Sequence, residues 1–476
     1  MPIERNEEAG SNRHSSLVWR VPLACKIDFQ ILPALCIFYF FSSLDRSSTE
    51  FVDTNGLARD LNINGKQLST TTSMYYFCSI ILNLPSNIIL RRWRASYWLG
   101  IIMGIWGMMC ICTAACTNYN RLVIVKLCSN ICDAAFLPGV IYYLSLWYTR
   151  SELGLRLGIF WSCRCLAIGF GRLFAYGVSH MNDSDMHIWQ WSYIFQGAPC
   201  IVLAIITSWY LPNDIKSSPF LVEQERKILI RKLEDDCGAF NDNDWSWEQV
   251  GSTLTDPKMF AYILLYILVS AVLQGTTLLL PTVIEQMKIS PSIQGHLLTI
   301  PPYILAILSI LVLSFTSGHR HSRSRFILLL NIMSIAILIA LKLMISYNKY
   351  DSYIIACILI SITYAQIVLV TTWTINNFVG FTRRAIAIGI IVSFGLTGSA
   401  AGSQLFQDAP AYARSKSIVL ALFIAQFILV CIVRYSLSRE TKRRMEMNSD
   451  ARQYQIYKAG GVDLAGDRHP DFSYTL

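Results

Sequence analysis

The sequence predicts an all-α membrane protein of twelve transmembrane helices, six on either side of a central cytoplasmic loop. Three observations carry this expectation. Apolar runs of about 20 residues, the length that crosses a bilayer, recur along the whole chain. The composition, 53% hydrophobic and only 15% charged over 476 residues with a positive mean hydropathy, does not fit a soluble protein. The longest polar connection, Pro212 to Pro257, divides the runs equally. The net charge of +9 invites a nucleic-acid partner, yet the Lys and Arg residues cluster in short connections rather than along one basic face. Membrane orientation explains them, and no nucleic acid is expected.

The first run, 31–51, is apolar from Ile31 to Ser43 and then meets Asp45 and Arg46. Fourteen residues, Ile31 to Leu44, reach only about two thirds of the way across the hydrocarbon. The charges are therefore expected inside the membrane, where they mark a pathway for ions or solutes. The following runs of the first half fall at 70–90, 96–116, 122–147, 155–178 and 191–211. Those of the second half fall at 259–284, 296–316, 326–346, 352–375, 385–406 and 416–437. Pro85, Pro138, Pro281, Pro301 and Pro302 are expected to bend helices and permit gating. Gly395, Gly398 and Gly402 lie at helical spacing in the eleventh run and predict close helix contact.

The chain thus divides into a cytoplasmic N-terminal tail (1–30), a six-helix bundle (31–211), a cytoplasmic linker with one amphipathic helix (212–257), a second six-helix bundle (258–438) and a cytoplasmic C-terminal tail (439–476). Both termini are placed inside because the inner connections then hold Arg91, Arg92, Arg94, Arg150, Arg156, Arg320, Arg323, Arg325, Arg383, Arg384 and the basic residues of the linker. The first run reads as an uncleaved signal anchor. The sequon Asn182-Asp183-Ser184 falls in a predicted outer loop, so Asn182 is a candidate glycosylation site. Most of the fourteen cysteines lie in the spans, where they behave as small apolar residues. No metal site or cofactor is expected: Cys128 and Cys132 share a helix face without His partners, and His319 and His321 read as solvated.

Several segments in order resemble the fungal anion:cation symporter family of the major facilitator superfamily, the allantoate permease group. They are Lys26-Ile27-Asp28, Leu44-Asp45-Arg46, Leu84-Pro85-Ser86-Asn87, Trp106-Gly107, Pro138-Gly139 through Ser145, Trp147-Tyr148-Thr149-Arg150-Ser151-Glu152 with Arg156, Thr299-Ile300-Pro301-Pro302-Tyr303, Trp373 to Asn377, and Thr382-Arg383-Arg384-Ala385. The resemblance implies a 6+6 major facilitator fold and proton-coupled symport by alternating access. It also implies departures: Asn83 stands where the family commonly has Glu, and Ser317-Gly318-His319 where Ser-Asp-Arg is common.

Candidate site residues follow from placement. In the fourth span Lys126, Asn130, Asp133 and Leu137 project from one face. In the fifth, Arg164 and Arg172 are eight residues apart, about 80° around the helix, with Asp133 the obvious counter-charge. Two readings stand: a structural ion pair, or a positive cavity of Lys126, Arg164 and Arg172 for a small organic anion, with Asp133, alongside Asp45, as the protonatable coupling site. Gln274 and Asn376 are further substrate-binding candidates, although Asn376 and Asn377 also suit a helix end near the cytoplasmic surface. Arg91, Arg92, Arg150, Glu152 and Arg156 are gating candidates, with a Glu152–Arg156 pair at helical spacing facing the basic turn.

No nucleophile elbow, metal-binding helix or phosphate loop appears, so an enzyme is not expected. Transport would draw on a gradient. The expected function is secondary active transport, proton-coupled symport of a small organic anion such as a carboxylate vitamin or ureide. The alternatives are a transport-poor nutrient sensor of the same fold and a facilitator of a neutral solute. The expected partners are the anion, the proton and the lipid bilayer. A monomer in the plasma membrane is expected, with the endoplasmic reticulum or vacuolar membrane as the other locations.

Overall fold

The computed structural model describes residues 4–50, 57–61, 63–179, 187–237, 247–286, 298–320, 322–344, 349–403, 413–458, 467, 469–470 and 472–476. The candidate glycosylation site Asn182 lies outside these residues, as does the side chain of Arg172. Twelve helices among the described residues are long and apolar enough to cross a membrane. The first half holds α1 (Glu4–Glu50), α3 (Gly65–Arg92), α4 (Ala95–Ala114), α5 (Tyr119–Trp147), α6 (Leu153–Ser179) and α7 (Ile188–Tyr210), with a short α2 (Leu57–Asp60) after α1. The second half holds α10 (Pro257–Gln286), α11 (Ile300–His319), α12 (Arg323–Met344), α13 (Lys349–Asn376), α14 (Phe381–Ser403) and α15 (Ala413–Met445).

Four departures from the sequence reading are informative. α1 is helical well before the apolar run read from the sequence, and Leu23 and Ile27, ahead of Ile31, are already buried in the core. The linker carries two helices, α8 (Glu223–Cys237) and α9 (Trp247–Leu254), where one was expected. Pro301 and Pro302 lie in the first turn of α11, where a missing N–H costs nothing, and are not kinks. After α15 the chain forms α16 (Ser449–Lys458) and then packs its final residues against the bundle, as described below.

The halves share one plan. α6 packs on α11 and α3 packs on α14, and these two seams join the halves. Counting spans, they are pairs 5–8 and 2–11; exchanging the halves, which takes span 5 to 11 and span 8 to 2, turns one pair into the other, the signature of a pseudo-two-fold arrangement. Outward-facing side chains such as Ile105, Met108, Ile205, Leu308, Phe315, Ile428 and Ile432 are exposed, as a lipid-facing surface requires. Within the second half α14 lies close against α10: a Cβ on Gly398 would collide with the Ile267 carbonyl oxygen. The glycine spacing legible in the sequence is thus a packing feature.

The linker marks one end of the bundle, called here the linker end. There α8 buries Leu229 and Leu233 and holds the first half through Lys26–Glu225 (2.8 Å), Glu152–Lys232 (2.6 Å) and Arg150–Asp236 (3.5 Å). Gly380, with φ of 98°, turns the chain between α13 and α14 at the same end.

Candidate functional site

Adjacent residues on a helix point about 100° apart, so Asp45 and Arg46 of α1 face different partners. Both partners lie on α5, seven residues apart and therefore on one face. Lys126 Nζ is 2.7 Å from Asp45 Oδ1, and Arg46 Nε is 3.3 Å from Asp133 Oδ2. Asp133 sits midway along α5, with Lys126 about two turns nearer its Tyr119 end. The Arg46–Asp133 contact is an ion pair without hydrogen-bond alignment at Nε. Arg46 uses its other nitrogens on Tyr75 Oη (2.7 Å) and Ser42 Oγ (3.3 Å), while the Ser42 hydroxyl donates to Asp133.

Aromatic faces complete the enclosure. The Arg46 guanidinium lies 5.0 Å from the Tyr75 ring centre and 6.0 Å from that of Tyr39, and Lys126 Nζ lies 4.5 Å from the Tyr193 ring of α7. Such faces hold a cation in a place with little water. Asp45, Lys126 and Asp133 are all buried. Removing one member of such a pair strands a buried charge, at about 3–5 kcal/mol.

Arg164 of α6 is half-buried and interacts with the hydroxyl of Tyr364 on α13, across the midline between the halves. Tyr364 Oη is in turn 3.4 Å from Thr277 Oγ1 of α10. The salt bridge at Asp133 is made by Arg46, and Arg164, the counter-charge expected from the sequence, acts on Asp133 electrostatically as well. Arg46 was legible as an intramembrane charge, and its place one turn after Ser42 is the only local sign of its role. Gln274 is buried, with its Cβ against the position a Gly402 side chain would take, in the α10–α14 contact.

The remaining candidates gather at the linker end. Asn376 is not beside the paired charges: its amide donates to the Arg150 carbonyl at 3.0 Å, the helix-end position noted from the sequence. The same carbonyl accepts from Arg323 of α12. Arg384 Nη1 donates to the Ser145 carbonyl (2.6 Å) and Asn87 to the Ala385 carbonyl (3.1 Å). Arg91 lies over the Phe381 ring at 5.1 Å and Arg92 over the Trp247 ring at 5.9 Å. Apart from the Arg92–Trp247 contact, which reaches the linker helix α9, these contacts tie the two halves together at this end.

The expected Glu152–Arg156 side-chain pair does not form. α6 starts at Leu153, so Glu152 precedes the helix and helical spacing does not apply. Arg156 instead grips Asp28 of α1 with two nitrogens, at 2.8 and 3.0 Å, and Glu152 takes Lys232. Burial pushes the Glu152 carboxyl pKa up, but Lys232 beside it outweighs this and holds it below its ordinary value.

Known proteins bear on this arrangement. The sequence model described as Major Facilitator Superfamily matches residues 35–403. The chain is 27% identical to the major facilitator-type transporter hxnP of Emericella nidulans, over 95% of this chain and 92% of that one. It is 26% identical to the high-affinity nicotinic acid transporter of Saccharomyces cerevisiae, over 94% and 84% of the two chains. Among solved structures, the proton:xylose symporter XylE aligns with a TM-score of 0.65 at 12% identity, covering 86% of this chain and 95% of that one. At that identity the likeness speaks for the fold alone.

Proposed function

The chain belongs to the Major Facilitator Superfamily, and on that footing we propose that it is a proton-coupled symporter of a small organic anion, working by alternating access. The observation that carries the reading is the pair of buried acid–base contacts, Asp133 with Arg46 and Asp45 with Lys126. Each acid occupies a cation that would otherwise attract an anion. Protonating Asp133 cancels its charge and releases the Arg46 guanidinium, whose planar fork suits a carboxylate. Proton and anion then enter as a neutral sum. Loss of the proton at the other side lets Asp133 recapture Arg46 and expels the anion. Asp45 and Lys126 repeat the device about two turns away.

Tyr364 and Thr277 would be the groups by which the second half grips the same anion, with Arg164 of the first half reaching Tyr364 from the other side of the midline. Gln274 lies one turn before Thr277 and is the next candidate. The likeness to a nicotinic acid transporter favours an aromatic or heteroaromatic carboxylate. The linker end is read as cytoplasmic, the location as the plasma membrane, and the unit as a monomer.

The test is uptake of labelled nicotinate, pantothenate, biotin and allantoate into cells expressing the chain, at acidic and neutral pH, with and without a protonophore. Protonophore-sensitive uptake that is greatest at acidic pH is expected, with loss in Asp133→Asn and Arg46→Ala. Uptake indifferent to the protonophore would replace this reading with a facilitator; no uptake of the panel from a correctly inserted protein would favour the sensor.

A further inference from the structure

The C-terminal tail reads from sequence as unremarkable, yet the structure builds Asp467 and residues 472–476 into the linker end. Asp467 is 0% exposed. Its carboxylate meets Lys258 Nζ at 2.6 Å and also pairs with Arg383, while Arg444 donates to its backbone carbonyl at 2.9 Å. Asp256 is the neighbouring acid, 3.3 Å from Arg383. Seven residues on, the Tyr474 hydroxyl accepts from Lys258 (2.7 Å) and Arg444 (2.9 Å). The Thr475 backbone N–H donates to Asn377 Oδ1 at 2.9 Å, and Trp373 Nε1 donates to the Thr475 carbonyl at 2.8 Å. All of these receiving groups belong to α10, α13–α15 and the α13–α14 turn. They form a cradle whose cations call for a carboxylate and whose open faces call for aromatic rings.

One grip comes from the other half. Arg150, in the turn between α5 and α6, donates from Nη1 to the Ser473 carbonyl at 3.3 Å, and its guanidinium lies 5.0 Å from the Phe472 ring centre. Arg150 is the residue whose own carbonyl is held by Arg323 and Asn376 of the second half. Opening the linker end pulls Arg150 away from the second half, and with it from Phe472 and Ser473. The anchoring contacts of Asp467 and Tyr474 would survive that movement; the Arg150 contacts would not. They exist only while this end is shut.

We propose that the segment Asp467–Leu476 is a latch: it docks as an acidic–aromatic peptide in a cradle on the second half and clasps Arg150 of the first, stabilising the conformation closed at the linker end. Its release is a step in opening that end, and whatever displaces it biases the carrier toward the open state. The inference concerns conformation, not substrate, and holds for any cargo.

The experiment is hydrogen–deuterium exchange of the purified chain in lipid nanodiscs, comparing the full sequence, Phe472→Ala and a deletion of residues 467–476. Both variants are expected to raise exchange at residues 148–156 and 316–320, by about ten-fold in the deletion. Added synthetic peptide of residues 467–476 should restore protection to the deleted chain, and a scrambled peptide should not. Faster exchange confined to α10, α14 and α15, with residues 148–156 unchanged in both variants, would make the segment a strut of the second half and overturn the latch. Phe472→Ala leaves the Asp467 and Tyr474 anchors in place, so it decides the matter even where the deletion fails to fold.

Discussion

The two halves build the same junction from opposite chemistry. In the first, spans one and four meet through Asp45–Lys126 and Arg46–Asp133. In the second, the helices six spans further on, α10 and α13, meet through Thr276–Thr363 (3.2 Å) and Thr277–Tyr364 (3.4 Å). In both, two adjacent residues of one helix take separate partners on the other. The backbone plan thus places polar contacts at this junction twice, and only the first copy makes them ionic. A neutral hydrogen bond contributes about 0.5–1.5 kcal/mol and changes little with protonation. A buried ion pair is worth little net, but is costly to break one-sidedly, which suits a switch. Under the proposed symport mechanism the first half would respond to protons and the second would serve as a neutral wall.

The largest effects should come from the charged junction. Asp133→Leu or Arg46→Met alone should cost about 3–5 kcal/mol in thermal unfolding of the solubilised protein, because each strands the other charge. The double variant should regain most of that stability while uptake stays lost. Equal costs for singles and double would mean that the two residues are not coupled and would end the comparison.

Next is Gly398→Val, which sets how closely α14 supports α10 in the neutral half. A side chain there meets the Ile267 carbonyl, so a loss of about 1–3 kcal/mol is expected by the same melting assay. Thr276→Val and Thr363→Val should each cost about 1 kcal/mol or less, with uptake retained. Abolished uptake in either would mean that the second junction also takes part in coupling.

The smallest expected effect is Glu152→Gln, which breaks the partly exposed pair with Lys232, at about 1 kcal/mol or less. The folded-state pKa of Glu152 is depressed, so its contribution is present above the ordinary carboxylate value and disappears as pH falls through the lower folded value. Melting temperatures of the variant and the parent chain should therefore converge in strong acid and differ at neutral pH.

How far the candidate site is legible in sequence depends on distance along the chain. Lys126 and Asp133 are visible as one face because helical spacing is local. Asp45 stands out because a charge beside an apolar run is local too. The partnership of Arg46 with Asp133 is not visible, and the sequence offers Arg164 and Arg172 as the partners of Asp133 until the rotation of α1 is known. The Glu152–Arg156 pair misleads for a related reason: the spacing is helical, but the helix begins one residue too late. The segment around Asp467 is the least legible, since one acid and two aromatics signal nothing until three cations from distant helices surround them.

The sequence by itself determined the membrane class, the number and order of the spans, the division about the linker and the identity of the charges that enter the bundle. Those follow from the hydrophobic length a bilayer requires and from the cost of an ion in hydrocarbon, both properties of a contiguous stretch. Only the tertiary structure decided which charge meets which, that one junction is ionic and its counterpart neutral, and that Asp467 and residues 472–476 pack against the linker end. Lys126 and Asp45 are 81 positions apart, and their meeting depends on how each helix is turned about its own axis. That rotation is set by the packing of all its neighbours, which no single stretch of sequence contains.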